Sequence, residues 1–333
     1  MNRSIKVRLA FIVVVLLFIP FVACKKEQEQ TVQVAEVTHS VFYAPLYVAL
    51  SEDFFKEEGL EVELKTTWGG DKTMTALLSG GADIALTGSE SSIYVEAQDT
   101  KDSVVNFAQL TQTDGTFLVS REKVSEFSWD QLKGKDFLGQ RKGGMPQMVG
   151  EYVLKKEGID VKKDLRMIQN IDFANISGAF SSGTGDFVQL FEPTASLIEK
   201  EGKGYITASF GEASGKVPYT TFMAKKSYLE ENKETAEAFT RAIYKAQKWV
   251  EAKQPEEIAK TIQSHFPDTE LDVLSTAIKR YKQQESYAID PLLNEEEWNK
   301  LQEIMKESDE LPKFIPYKQL VDSSIAKKVT EHK

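Results

Sequence analysis

The chain has 333 residues, 41% hydrophobic and 28% charged, with a formal net charge of −10. That length suits roughly two domains with cores that need no disulfide or metal staples, and the acidic balance disfavours a nucleic-acid partner, which needs a basic face. One cysteine excludes an intramolecular disulfide and any cysteine-rich metal site, and His39, His265 and His332 are too few for a multi-histidine centre. No metal and no cofactor are expected.

In chain order, Arg3, Lys6 and Arg8 precede an apolar stretch from Leu9 to Ala23, shorter than the ~20 residues of a membrane-spanning helix. A basic flank, a short apolar run and a small residue before the cut mark a signal peptide over residues 1–23. Phe21-Val22-Ala23-Cys24 resembles a bacterial lipobox, with Phe21 where leucine is usual. The resemblance implies that Cys24 carries the lipid (palmitate among its acyl groups) and becomes the first mature residue. Residues 24–31 are polar and aperiodic, a flexible tether. The expected location is the extracytoplasmic face of a cell membrane, held by lipid.

Thr31 to Val37 alternates apolar and polar residues as a half-buried strand does. Leu46 to Glu58 has helical spacing closed by Gly59, and Leu60 to Thr66 alternates again. Asp71 offers an N-cap for a helix over Lys72 to Ser79, followed by a short buried strand from Ala82 to Leu86. This is the order of an open α/β sheet. The pattern restarts with strands at Thr116 to Ser120 and Asp136 to Gly139, a helix from Pro146 to Lys156, and strands at Leu165 to Gln169 and Gly185 to Phe191. Val217 to Ala224 returns the chain to the first half. Helices then follow from Tyr228, at Glu256 to Phe266, Leu271 to Gln284 and Asn294 to Lys306. No repeat period appears. The economical reading is two α/β lobes with crossover strands near Phe117 and Thr221: residues 32–115 plus 222–333 in one lobe, 116–221 in the other. Such lobes close on a ligand by a hinge.

Tyr43-Ala44-Pro45-Leu46-Tyr47-Val48-Ala49, leading into Phe54 to Val62, resembles the opening of solute-binding proteins of ABC importers for nitrate, sulfonates, taurine and thiamine-pyrimidine precursors. Gly69-Gly70, the run Ala76 to Ala85, Phe191-Glu192-Pro193 and Val321 to Ala326 continue the resemblance over nearly all of the mature chain. It implies the two-lobe, type II periplasmic-binding-protein-like architecture, with hinge crossovers and a helical C-terminal segment. It also implies a monomer that delivers a small molecule to a permease and its ATPase subunit.

Ligands of open α/β sheets lie beyond the carboxyl ends of the strands. The loops there nominate a set of candidates. Tyr43 and Trp68 offer stacking faces, and Gly69-Gly70 would let backbone approach the ligand. Ser89 and Glu90 open one helix, and Lys142, Gly143 and Gly144 precede another, where free N–H groups suit an anion. Glu192 and Asp114 are carboxylates that could accept amino hydrogens, Asn175 and Tyr219 lie on converging loops, and His39 is a lone imidazole with a structural hydrogen-bonding role as its plainer reading. Tyr43, Trp68, Asp114 and Glu192 lean towards a nitrogen heterocycle such as a thiamine-pyrimidine precursor; Lys142 and the helix starts lean towards a sulfonate, nitrate or taurine-type solute. The heterocycle is preferred. No Ser/His/Asp spacing, zinc-protease motif or P-loop is present, so no catalytic residue is expected. An iron-dependent pyrimidine synthase on this scaffold needs a cysteine-rich motif that the lipobox cysteine cannot supply. A sensor domain for a membrane receptor is the remaining alternative.

Overall fold

A computed structural model describes residues 29–331; the expected signal peptide, Cys24 and most of the tether lie outside the described residues. Ten strands form two five-stranded sheets. The first sheet contains β1 (Gln30–Glu36), β2 (Leu60–Thr66), β3 (Ile84–Gly88), β4 (Val104–Thr111) and β10 (Thr220–Lys225), in the order β2-β1-β3-β10-β4. The second contains β5 (Thr116–Ser120), β6 (Asp136–Leu138), β7 (Arg166–Ile168), β8 (Phe187–Phe191) and β9 (Tyr205–Ser209), in the order β7-β6-β8-β5-β9. This is the expected two-lobe α/β class. In each sheet the strand that receives the chain from the other lobe, β5 or β10, runs antiparallel to both of its neighbours. The remaining core strands pair in parallel through helical crossovers.

The registers follow from which faces are buried. β2 is an edge strand with alternating burial, as Leu60-Glu61-Val62-Glu63 predicts, whereas β4 is buried at all eight positions. That is why β4 carries no period-two signal and was not anticipated. β9, half-buried throughout, was missed for the same lack of alternation. The expected tether ends early, because Gln30 and Thr31 already pair with Leu60 and Glu61. The second crossover also differs from expectation: Thr220 and Thr221 belong to the first sheet, where Thr221 pairs with Thr87 and Gln109. The chain therefore passes between sheets in the segments 112–115 and 210–219, between strands and not within them.

The expected helix from Leu46 to Glu58 is two helices, Ala44–Ser51 and Phe54–Glu57. They are separated at Asp53, whose φ of 56° is left-handed; this break turns Phe54 and Phe55 into the core. The long Lys233–Ala252 helix presents an apolar face, including Phe239 and Ile243, to the first sheet and the Ala44–Ser51 helix. The C-terminal helices do not serve the first lobe alone. The Leu271–Gln283 helix packs against both the Val41–Tyr43 turn and the Thr194–Lys200 helix of the second lobe, and the Glu295–Glu307 helix packs against Met145–Lys156. Trp298, fully buried, anchors the latter by donating its indole N–H to the Ile315 carbonyl at 3.1 Å.

Candidate functional site

The carboxyl ends of the strands in both sheets face one cavity of about 700 Å³, within the roughly 300–1,000 Å³ of small-molecule sites. From the first lobe come Tyr43 after β1, Trp68 to Leu78 after β2, and Thr87, Glu90, Ser91 and Tyr94 after β3. From the second come Gln140 to Pro146 after β6, Asp172 to Asn175 after β7, and Phe191 at the end of β8; Tyr219 and Thr220 close the side next to the second crossover.

The mouth and the deep end differ in character. Trp68 at the mouth is 44% exposed and holds a left-handed φ of 57°, followed by Gly69 at 142°. A large side chain there is strained, and the turn directs the chain into the Gly70–Leu78 helix. Across the mouth, the exposed Arg141 guanidinium meets the Asp71 carboxylate at 3.1 Å. Lys72 and Lys142 are exposed as well. Deeper, Tyr43, Thr87, Glu90 and Tyr219 are all buried. Among the described charged residues lining the cavity, Glu90 alone is buried.

Glu90 opens the Glu90–Glu96 helix, and its Oε1 accepts the Met145 N–H across the cleft at 3.3 Å. A second cross-cleft contact runs from the Tyr94 hydroxyl to Met148 Sδ at 3.6 Å. Burial raises the Glu90 pKa to about 8, against the opposing pull of its own and the Met145 backbone N–H groups. Its Oε2 has no partner, and neither do the Thr87 and Tyr219 hydroxyls. Three buried polar atoms of cavity-lining residues thus lack the hydrogen bonds that burial normally demands.

Residues 41–258, more than half of the chain, match the model of the family described as NMT1/THI5 like. The chain belongs to the NMT1/THI5-like family. It is 66% identical over 334 residues to YtlA of Bacillus subtilis (strain 168), with 100% of each chain covered. Among solved structures, the alkanesulfonate-binding protein SsuA of Xanthomonas axonopodis pv. citri, bound to MOPS, superposes with a TM-score of 0.72 at 15% identity, covering 88% of this chain and 98% of that one. The periplasmic nitrate-binding protein NrtA of Synechocystis PCC 6803 gives 0.72 at 17% identity, covering 91% and 89%. At these identities the structures establish the shared fold. The family membership agrees with the resemblance carried by the Tyr43 and Phe191-Glu192-Pro193 segments.

Of the residues singled out in this NMT1/THI5-like sequence, Tyr43, Trp68, Glu90, Lys142, Gly143, Gly144, Asn175 and Tyr219 line the cavity. Four others do not, and each is occupied elsewhere. Glu192 is fully buried, but its carboxylate accepts the Ser196 N–H and hydroxyl at 2.8 Å each and the Arg280 guanidinium at 2.7 Å. It fastens the start of the Thr194–Lys200 helix to a C-terminal helix. His39 is held by Glu36 at 3.0 Å and the His265 carbonyl at 2.8 Å, and stacks on Phe266. Ser89 donates its hydroxyl to the Pro218 carbonyl and makes no side-chain cap to the helix it precedes. Asp114 is fully buried, with Oδ1 accepting the Thr116 N–H at 2.6 Å.

Three of the amides at these helix starts are taken. Gly143 N–H donates to Gln147 Oε1 at 3.0 Å, Ser89 N–H to the Tyr219 carbonyl at 3.1 Å, and Met145 N–H to Glu90. Sequence reasoning missed Tyr94, whereas Thr87 and Phe173 lie in the loops 87–91 and 172–175 that strand ends place at the cleft, without being singled out there. A signal for Tyr94 was present: Glu90 and Tyr94 stand at i and i+4 on one face of the Glu90–Glu96 helix.

Proposed function

We propose that this protein is the solute-binding subunit of an ABC importer, anchored by Cys24 outside a cell membrane, and that its solute is a small planar nitrogen heterocycle bearing an amino group. A thiamine-pyrimidine precursor has that chemistry. The observation that carries the reading is Glu90: a buried carboxyl with a free oxygen, at the deep end of a cavity whose cations stand at the mouth. A carboxyl group can accept from an exocyclic amine and exchange a proton with a ring nitrogen, while Tyr43, Phe191 and Tyr219 supply flat apolar walls. A sulfonate or nitrate would meet the same carboxyl with no buried cation among the described lining residues to offset it, and would find the Ser89, Gly143 and Met145 amides already bonded. Nothing in this function requires a nucleophile; capture and release suffice. Two of the fold relatives carry sulfonate- and nitrate-binding names, which is why oxyanions belong in the test.

Thermal-shift titration with 4-amino-2-methylpyrimidine, methanesulfonate and nitrate separates the readings. A true ligand at a hundred times its Kd stabilises the fold by about 2.7 kcal/mol. The expected result is stabilisation by the aminopyrimidine, lost in Glu90→Leu. Stabilisation by an anion, strengthened in Glu90→Leu, overturns the ligand class. For the anchor, Cys24→Ser is expected to release the protein from membranes or leave its precursor uncut; a fully cleaved, membrane-bound variant contradicts it.

A further inference from the structure

Gln140 lies just past the end of β6 and lines the cavity with 3% of its surface exposed. The pairing of β6 with β8 stops at Leu138 and Val188. Beyond it the Gln140 side chain takes over from the backbone, and its Nε2 donates to the Gln189 carbonyl at 2.5 Å. Gln189 is itself held, because its own side-chain Nε2 donates to the Thr116 hydroxyl oxygen and to the Pro146 carbonyl at 2.8 Å each. A backbone carbonyl only accepts, so the Gln140 atom turned to it must be the nitrogen, and the orientation of the amide is fixed. Gln140 Oε1 accepts from none of the described residues, and it is not among the sealed, unpartnered atoms such as Glu90 Oε2 and the Tyr219 hydroxyl oxygen. That oxygen therefore keeps open surface, on a residue that lines the cavity. Gln140 is also the one buried amide among the described lining residues. The buried Tyr43, Ser91 and Thr220 line the cavity as well, but a hydroxyl turns to donate or to accept as the solute requires.

We propose that Gln140 is a specificity-determining residue of the cavity, whose Oε1 accepts an N–H of the solute. The protein, and not the solute, sets this polarity, because turning the amide over would place its oxygen against the Gln189 carbonyl. A solute that donates satisfies Oε1, whereas an oxyanion has no proton to give and leaves the oxygen unpaired in a buried site. The role rests on the reading of the cavity as a solute site for an amine-bearing heterocycle. It adds to Glu90 of the first lobe an uncharged acceptor from the second.

Two measurements test it. The first uses wild type alone, labelled with 13C and 15N, with the Gln140 side chain assigned through its backbone. The protein is titrated with 4-amino-2-methylpyrimidine and with 2,4-dimethylpyrimidine, which keeps the ring and carries a methyl group in place of the amine. The expected result is a downfield move of the Gln140 Cδ signal with the amine only, as its oxygen accepts a hydrogen bond. A signal that stays put at saturation with the aminopyrimidine, or that moves equally with both compounds, overturns the proposal. The second measurement is calorimetry with the same pair and with methanesulfonate. Gln140→Leu is expected to cut the preference for the amine over the methyl compound roughly tenfold. An unchanged preference in the folded variant removes the role of Gln140 and leaves the ligand class standing. If wild type binds methanesulfonate and not the aminopyrimidine, the ligand class falls. In that case a stronger anion affinity in Gln140→Leu upholds Oε1 as an acceptor facing the solute, and an equal or weaker one overturns it.

Discussion

Glu90 spends its burial on a group that water would otherwise satisfy, and pH exposes the consequence. Its pKa is raised from 4.5 in the unfolded chain to about 8 in the fold, so between those values the unfolded chain releases a proton that the fold retains. Stability therefore falls as pH rises through that window and levels off above about pH 8. Glu90→Gln removes this dependence. Relative to wild type, the ligand-free variant is expected to gain stability between pH 5 and pH 8, on the order of a few kcal/mol, measured by urea unfolding at each pH. Asp114 titrates over a lower window in both proteins and cancels from the comparison. Glu192 behaves differently, because its carboxylate is already saturated. Glu192→Ala leaves Arg280, whose side chain is 24% exposed, with Glu199 at 2.7 Å as its charge partner and the Ser196 hydroxyl at 2.6 Å. The expected cost is about 3 kcal/mol of stability, seen as a lowered urea midpoint, with little change in the affinity of the folded fraction.

At the scale of elements, the helix starts show which local signals are self-sufficient. Asn294 caps the Glu295–Glu307 helix by accepting the Glu296 and Glu297 N–H groups at 2.8 and 3.2 Å. Asn294→Ala is expected to lower stability by about 1 kcal/mol, read from chemical denaturation. That helix, the Leu60–Thr66 strand and the Met145–Lys156 helix were legible because their amphipathic period or their proline and cap lie within the segment itself. β4 and β9, one buried and the other half-buried throughout, show no alternation of burial and were not read, although the equally buried β5 and β8 were. The site divides along the same line. The cavity loops could be placed because strand ends fix them, but Glu192 could not be told from a ligand contact, because its partner Arg280 is chosen by tertiary packing. Glu192 and Arg280 are 88 residues apart in sequence, and no local pattern records such a pairing.

At the scale of the whole molecule, two sheets of matched topology present their strand ends to one cavity. The described contacts between the lobes are of different kinds and include an exposed ion pair between Asp71 and Arg141, the Met145 amide on Glu90, the Tyr94 hydroxyl on Met148 and the Ser40 hydroxyl on the Glu192 carbonyl. The exposed pair contributes little in water, so the buried acid is the contact through which a solute can bias the lobes. The measurement that tests this most directly is native mass spectrometry of the freshly purified protein, beside its Glu90→Leu and Glu192→Gln variants. The account predicts that wild type and Glu192→Gln retain one amine-bearing nitrogen heterocycle per chain and that Glu90→Leu does not. Retention of a sulfonate or other oxyanion, or equal retention of the heterocycle by Glu90→Leu, would contradict it.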